Sequence, residues 1–130
     1  MWGYSTRLML YDDPWKIKKV LKESDVDSSS RLLLDKKSVE VLMLTVLDNK
    51  GANIDEGIPV EIWDISTNST HFLTLKRWKS GSYVLVDGWI PNFVTRKGLK
   101  KGDEIGLHWD QYNQRFDFSV LQAYEDRHQI

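Results

Sequence analysis

The stretch Lys76-Arg77-Trp78-Lys79-Ser80-Gly81-Ser82-Tyr83-Val84-Leu85-Val86-Asp87-Gly88-Trp89 sets a basic, aromatic, turn-forming tip between two β-patterned runs. Leu73 and Leu75 before it alternate with Phe72 and Thr74, as on a half-buried strand, and Tyr83 to Val86 form the second run. Ser80, Gly81 and Ser82 supply the turn chemistry between them. Two uses fit such a tip. It is an ordinary hairpin with a solvated end, or a contact arm whose cations and small hydroxyls press on a phosphate backbone and reach into a groove.

Working outward, Ile58, Val60 and Ile62 share one face of an extended run, and a polar turn region at 64–70 leads from it. Downstream, Gly88-Trp89-Ile90-Pro91 opens a helix with Ile90, Phe93 and Val94 as its apolar stripe. Pro91 is tolerated in a first turn, and Gly98 is placed to cap the C-terminus. Lys101-Gly102-Asp103 reads as a turn. Ile105, Leu107 and Trp109 then alternate with Gly106 and His108, and Phe116, Phe118 and Val120 alternate with Asp117 and Ser119. These last runs make the cleanest hairpin in the chain.

Upstream, Asp12-Asp13-Pro14 marks a boundary, since Pro14 disfavours helix at Asp13. Trp15, Ile17 and Lys19 alternate with Lys16, Lys18 and Val20, which predicts an edge strand with a lysine-rich outer face. Residues 23–30 are polar and read as a loop with room for one helical turn opened by Ser24 or Asp25. Arg31-Leu32-Leu33-Leu34 is a short apolar run. Val39, Leu42, Met43, Val46 and Leu47 then fall on one face of a helix, with Ser38 as its N-cap and Asn49, Gly51 and Asn53 ending it.

The pattern predicts a mainly β fold: seven strands and two short helices in an open, mostly antiparallel β-barrel. The barrel domain would span 14–122, between an irregular segment 1–13 and a polar tail 123–130. A length of 130 residues fits one domain, and 41% hydrophobic with 12% aromatic content suffices for a core. There is no cysteine, which excludes a disulfide scaffold, thiolate-bound zinc and a thiol nucleophile. No apolar run approaches the ~20 residues of a membrane helix, so no membrane is expected as partner, and no secretory signal is seen.

Catalysis is not expected. His71, His108 and His128 are far apart in sequence, and no metal-ligand spacing, nucleophile elbow or phosphate-binding glycine loop is present. The carboxylate pairs Asp12-Asp13 and Asp103-Glu104 fall at turns, where solvated acids are the default, and His108 reads as a surface imidazole. No cofactor, metal or small-molecule substrate is implied. Trp63, Trp89 and Trp109 read as core residues. Trp78, between Arg77 and Lys79, either stacks on a sugar or folds back over the barrel mouth.

The net charge of −1 is low for a nucleic-acid binder. The cations are nevertheless clustered, at 16–22, 76–79 and 96–101.

In order and spacing, three motifs over roughly 15–121 resemble the plant B3 DNA-binding domain. Lys22-Glu23-Ser24-Asp25-Val26 through Arg31-Leu32-Leu33-Leu34-Asp35-Lys36 is similar to the family's Lys-x-Ser-Asp-Val and Arg-Leu-x-x-Pro-Lys segments. Trp78-Lys79-Ser80-Gly81-Ser82-Tyr83-Val84-Leu85 with Gly88-Trp89 is similar to Trp-x-Ser-x-Ser-Tyr-Val-Leu with Gly-Trp. Phe93-Val94, Leu99 and Gly102-Asp103 follow its Phe-Val, Leu and Gly-Asp positions.

The resemblance implies a seven-stranded pseudobarrel, a nuclear transcriptional regulator, and double-stranded DNA as partner, alongside other transcription regulators. It implies an N-terminal arm at 22–31 and a C-terminal arm at 76–82, both in the major groove. By residue type, Lys19, Lys22, Arg31, Lys76, Arg77 and Lys79 would meet phosphates, with Trp78 beside them. Ser28, Ser29, Ser30, Ser80 and Ser82 are short enough to approach base edges or phosphates.

Departures temper the expectation. Lys79 and Gly81 stand where members that read a defined element often carry Asn and Arg, and Asp27 stands where they carry Gly. Gly81 cannot grip a guanine, and Asp27 puts negative charge in an arm facing phosphates. Weak, less selective DNA binding is therefore the leading expectation. The alternatives are a protein-interaction module of the same fold with little DNA affinity and, from the tryptophans, a carbohydrate-binding β-domain.

Overall fold

The structure is a computed structural model that describes residues 14–45 and 53–124, without the side chains of residues 43–45. Expectations for residues 1–13, the side chain of Met43, Val46, Leu47, Asn49, Gly51, His128 and the tail beyond Tyr124 lie outside these residues.

Seven strands form one sheet: β1 (Ile17–Val20), β2 (Leu32–Leu34), β3 (Ile58–Asp64), β4 (Ser69–Arg77), β5 (Tyr83–Val86), β6 (Glu104–Asp110) and β7 (Arg115–Gln122). Their order is β1-β6-β7-β3-β4-β5-β2. Every neighbouring pair is antiparallel except β3 and β7, where Ile62 lies beside Phe116 in parallel register. The sheet curls until its edge strands β1 and β2 approach. There Lys19 Nζ donates to the Leu33 carbonyl across a 2.7 Å gap, so a side chain covers backbone that an open edge would expose.

Alternation along the strands fills the barrel. Ile58, Val60 and Ile62 point inward from β3, Leu73 and Leu75 from β4, and Phe116 and Phe118 from β7, all buried. Fully burying a side chain of this size is worth about 1.5–3 kcal/mol.

Among the described residues three helices are inserted. α1 (Glu23–Val26) is the single turn allowed for in the first polar loop. α2 (Lys36–Thr45) starts earlier than its apolar stripe suggests. Its N-cap is Asp35 rather than Ser38: the Asp35 carboxylate accepts the Ser38 backbone N–H at 3.0 Å and its hydroxyl at 2.9 Å. Aspartate satisfies the free amides of a first turn as well as serine does, and Ser38 sits three residues on, where the cap's acceptor reaches.

α3 (Ile90–Thr95) is wound wider than an α-helix, and the Leu99 N–H reaches back five residues to Val94. Trp89 and Phe93 stack at 5.4 Å and Phe93 meets Phe118 at 4.7 Å, which plugs the barrel. Gly88 enters this helix at φ +128°, and a Cβ there would lie 2.7 Å from Asn92 Nδ2. A side chain at this position would be strained by the backbone conformation and would have to displace the Asn92 amide.

Of the tryptophans read as core, Trp89 is buried, while Trp63 and Trp109 are half-buried on the sheet. Trp63 carries the Arg115 guanidinium 4.7 Å from its ring centroid. Asp103 departs from the solvated acid expected at a turn. It is buried and accepts the backbone N–H groups of Lys100 and Tyr124 at 2.9 and 2.8 Å. Two hydrogen bonds to backbone amides make burial of the carboxylate tolerable.

Candidate nucleic-acid interface

The C-terminal arm is the β4–β5 hairpin tip. Trp78 N–H donates to the Ser82 carbonyl at 2.8 Å and Gly81 N–H to the Trp78 carbonyl at 2.9 Å. Gly81 closes this turn at φ +92°, a region L-residues rarely enter. Lys79 and Ser80 are exposed, Ser82 is half-buried, and the two serine hydroxyls lie 3.2 Å apart. Lys76 is half-buried on β4.

Arg77 has a partner that its sequence neighbourhood does not announce. Its Nε donates to Asp55 Oδ1 at 2.7 Å, and its backbone N–H donates to the Ile54 carbonyl at 3.0 Å. The Asp55 bond, aided by the Tyr83 hydroxyl, raises the Arg77 guanidinium above its ordinary pKa, and the same bond holds Asp55 below the usual carboxylate value. Beside the tip, Lys36, Glu40, Asp55 and the arm residues 76–79 line a depression of about 680 Å³. Lys36 Nζ lies 3.6 Å from where a Cβ on Gly81 would stand, so the first residue of α2 joins the cations of this tip.

The N-terminal arm, residues 22–31, is gathered around Asp25, whose side chain is buried. Asp25 Oδ2 accepts the Lys22 backbone N–H at 2.7 Å, and Oδ1 accepts from Arg31 Nη1 at 2.8 Å and from Leu33 N–H at 3.1 Å. Lys19 Nζ stands 3.3 Å from Oδ2. Asp25 also offers its backbone carbonyl to the Trp89 indole N–H at 2.7 Å, which fastens the arm to the aromatic core. Arg31 Nη2 takes the Ser24 hydroxyl oxygen at 2.9 Å.

The arm's outer part is held by Asp27, whose carboxylate accepts the Ser29 backbone N–H at 2.8 Å. That bond, with the Ser29 hydroxyl, holds the Asp27 carboxyl below its ordinary value. Asp27 is thus both an anion and the brace of an exposed turn in which Ser30 adopts φ 59°.

The predicted residues divide accordingly. Lys22, Ser28, Ser29, Ser30, Lys79 and Ser80 are exposed at the two arms. Lys19 and Arg31 face inward, with side chains 14% and 11% exposed. Trp78 neither projects freely nor seals the barrel. It is 40% exposed, and the Arg31 guanidinium carbon lies 6.0 Å from its ring centroid, at the outer limit of a cation–π contact. That contact puts the two arms side by side.

Several other ionisable groups are occupied within the fold. Arg96 and Lys97, counted above with the cation clusters, reach the buried Asp64 at 2.6 and 2.9 Å. His71 lies 2.8 Å from the Ser69 hydroxyl, and the half-buried His108 lies 3.3 Å from Asp117 Oδ2. Among the described residues no group of three or more His, Asp or Glu could hold a metal ion, and no helix is long and apolar enough to cross a membrane.

A family model described as "B3 domain-containing protein At5g26805, C-terminal domain" matches residues 15–121. Among curated proteins of Arabidopsis thaliana, the putative B3 domain-containing protein At1g78640 is 42% identical over 111 residues, covering 82% of this chain and 22% of that protein. The B3 domain-containing protein At1g10455 is 33% identical over 115 residues, covering 86% of this chain and 74% of that protein. The chain therefore spans under a quarter of the first relative's length and about three quarters of the second's. Two solved structures have the same fold. An Arabidopsis FUS3–DNA complex matches at TM-score 0.65 and 28% identity, over 82% of this chain and 95% of that one. An Arabidopsis thaliana LEC2–DNA complex matches at TM-score 0.66 and 25% identity, over 82% and 92%.

Proposed function

The chain belongs to the plant B3 domain family, and we propose that it is a non-enzymatic, nuclear DNA-binding domain of a transcriptional regulator that grips duplex DNA with two arms in the major groove. The observation that carries this reading is the Arg31–Trp78 contact, which brings the end of one arm against the tip of the other, each carrying exposed cations and serines. The two structural neighbours are DNA complexes, which supports duplex DNA as the partner.

Within this reading Lys22, Lys76 and Lys79 meet phosphates, and the serines approach base edges or phosphates. Lys19 and Arg31 act chiefly through Asp25, by fixing the N-terminal arm. Arg77 reaches DNA by exchanging Asp55 for a phosphate. Because no arginine stands at the Gly81 position and few cations are free of internal partners, affinity is modest and depends weakly on sequence.

Fluorescence anisotropy on a pool of random duplexes, titrated with salt, tests the reading. Each phosphate-contacting cation contributes about 0.9 to the slope of log affinity against log salt. A measurable slope that falls on changing Lys22 or Lys79 to Ala supports it; binding to no duplex at low salt overturns it.

The internal neutralisation of Arg77 favours a second reading, a protein-interaction module of the same fold with little DNA affinity. That reading predicts no retention on DNA in ~0.15 M salt, where the screening length is ~8 Å, together with capture of another transcription regulator.

A further inference from the structure

Beside the base of the N-terminal arm lies a second depression, about 460 Å³ in volume, lined by Val20, Leu21, Lys22, Lys101, Gly102 and Tyr124. Lys22 opens the N-terminal arm and Gly102 belongs to a sequence motif, but neither assigns a role to the depression between them. The loop before β6 is pinned there by two reciprocal backbone bonds. Leu21 N–H donates to the Asp103 carbonyl and Gly102 N–H donates to the Leu21 carbonyl, both at 2.8 Å. Gly102 sits at φ +96° under the Tyr124 ring, and a Cβ there would overlap that ring at 2.2 Å. Lys101 is thereby held on a fixed turn, exposed, and lines the same depression as Lys22. The neighbouring Asp103 carboxylate is buried and turned to the N–H groups of Lys100 and Tyr124, with the Lys100 ammonium 3.7 Å from it.

Contacts join these features in one order. Trp78 of the C-terminal arm meets Arg31 at one end of the N-terminal arm; the Arg31 guanidinium and the Lys22 backbone N–H meet at Asp25; Lys22 and Lys101 line one depression. Building on the two-arm reading, we infer that the Lys101–Gly102 turn is a third contact, which receives the phosphodiester backbone just outside the segment held by the arms. Lys22 and Lys101 supply two ammonium groups for a phosphate. Val20 and Tyr124, 42% and 40% exposed, offer apolar surface to the adjoining deoxyribose. Phosphate contacts position a protein on the duplex without reading sequence, so this turn adds affinity and footprint rather than selectivity.

The test compares Lys101→Ala with wild type and Lys79→Ala on random duplexes of one and of two helical turns, by anisotropy across a salt series. Lys101 is exposed, so the variant keeps the fold, which circular dichroism confirms. The expected result is a slope lower by about 0.9 on the two-turn duplex and unchanged on the one-turn duplex, with Lys101→Arg restoring it. Lys79→Ala lowers the slope on both. If Lys101→Ala matches wild type on both lengths while Lys79→Ala does not, the third contact is wrong and the two-arm reading stands. A Lys101→Ala loss on the one-turn duplex places the turn within the arms' own segment and overturns the flanking assignment. Wild type binding neither duplex defeats the two-arm reading itself.

Discussion

Arg77 and Asp55 meet at the base of the C-terminal arm, Nε to Oδ1 at 2.7 Å, with side chains 41% and 57% exposed. On the proposed reading, a phosphate approaching Arg77 must displace this carboxylate, so the pair would set a competition between intramolecular and DNA-bound states. Because both groups are largely solvated, the pair contributes little to folding.

Asp55→Asn is therefore expected to raise affinity for random duplex DNA severalfold and to leave the melting temperature nearly unchanged. It removes one negative charge near the tip and frees a guanidinium, which adds up to about 0.9 to the salt slope. Anisotropy over a salt series measures both effects. Unchanged affinity would mean that Arg77 does not reach the DNA.

Asp25 has the opposite profile. Its carboxylate is the common acceptor for Lys22 N–H, Leu33 N–H and Arg31, with Lys19 alongside. Asp25→Ala strands two amides and two cations and should destabilise the fold by about 3–5 kcal/mol, read as a lower denaturant midpoint. Lys22→Ala removes an exposed cation and leaves that backbone bond intact, so it should weaken DNA binding with no change in midpoint. If both variants lost DNA binding at unchanged stability, the assignment of Asp25 as the arm's organiser would be wrong.

The contrast between these acids explains what the sequence disclosed. Period-two alternation made β3 to β7 legible, and local turn chemistry made the Trp78 to Ser82 tip legible, because both are set by near neighbours. The parallel β3–β7 register was not, since it depends on how the sheet closes. The partners of the arm cations were hidden for the same reason. Arg77 finds Asp55 across 22 positions, and the Trp89 indole finds Asp25 across 64. Cation clusters in sequence therefore overstated the exposed charge: Arg96, Lys97 and Lys19 meet buried carboxylates, as does Arg31 outside the clusters. Lys101 was visible as part of a cation cluster and a turn, but its nearness to Lys22 depends on a loop pinned to Leu21 by folding.

Asp64 closes the end of the β3–β4 hairpin remote from the arm, a separation of roughly 20 Å along the strand. Burial opposes its ionisation, but hydrogen bonds from Arg96, Lys97, Ser66 and Thr67 outweigh it and hold the carboxyl far below the usual range. A carboxyl depressed in the folded state stabilises fully above its unfolded value of 3.8, and that stability is lost as pH falls below it. Asp64→Asn should thus reduce stability at neutral pH, by about 2–3 kcal/mol with Arg96 partly able to rehydrate, and flatten the loss of stability below pH ~4. Denaturant midpoints across pH check the sign. Under folding conditions its DNA affinity should match wild type, because the site lies away from both arms.

Gly81 sets the ceiling on selectivity. A guanidinium at the tip can make a bidentate contact to guanine worth ~1–3 kcal/mol of discrimination, and Gly81 has no side chain with which to do so. Gly81→Arg would place that group beside Lys79, but at φ +92° the new residue is strained, and its Cβ would lie 3.6 Å from Lys36 Nζ. Such backbone strain costs ~1–3 kcal/mol, paid mainly as folding stability rather than as affinity. The expected outcome is a lower denaturant midpoint together with a new preference for guanine-containing duplexes in a selection from a randomised pool. A recovered pool with no guanine enrichment, from a variant shown to be folded, would mean that the tip does not enter the groove.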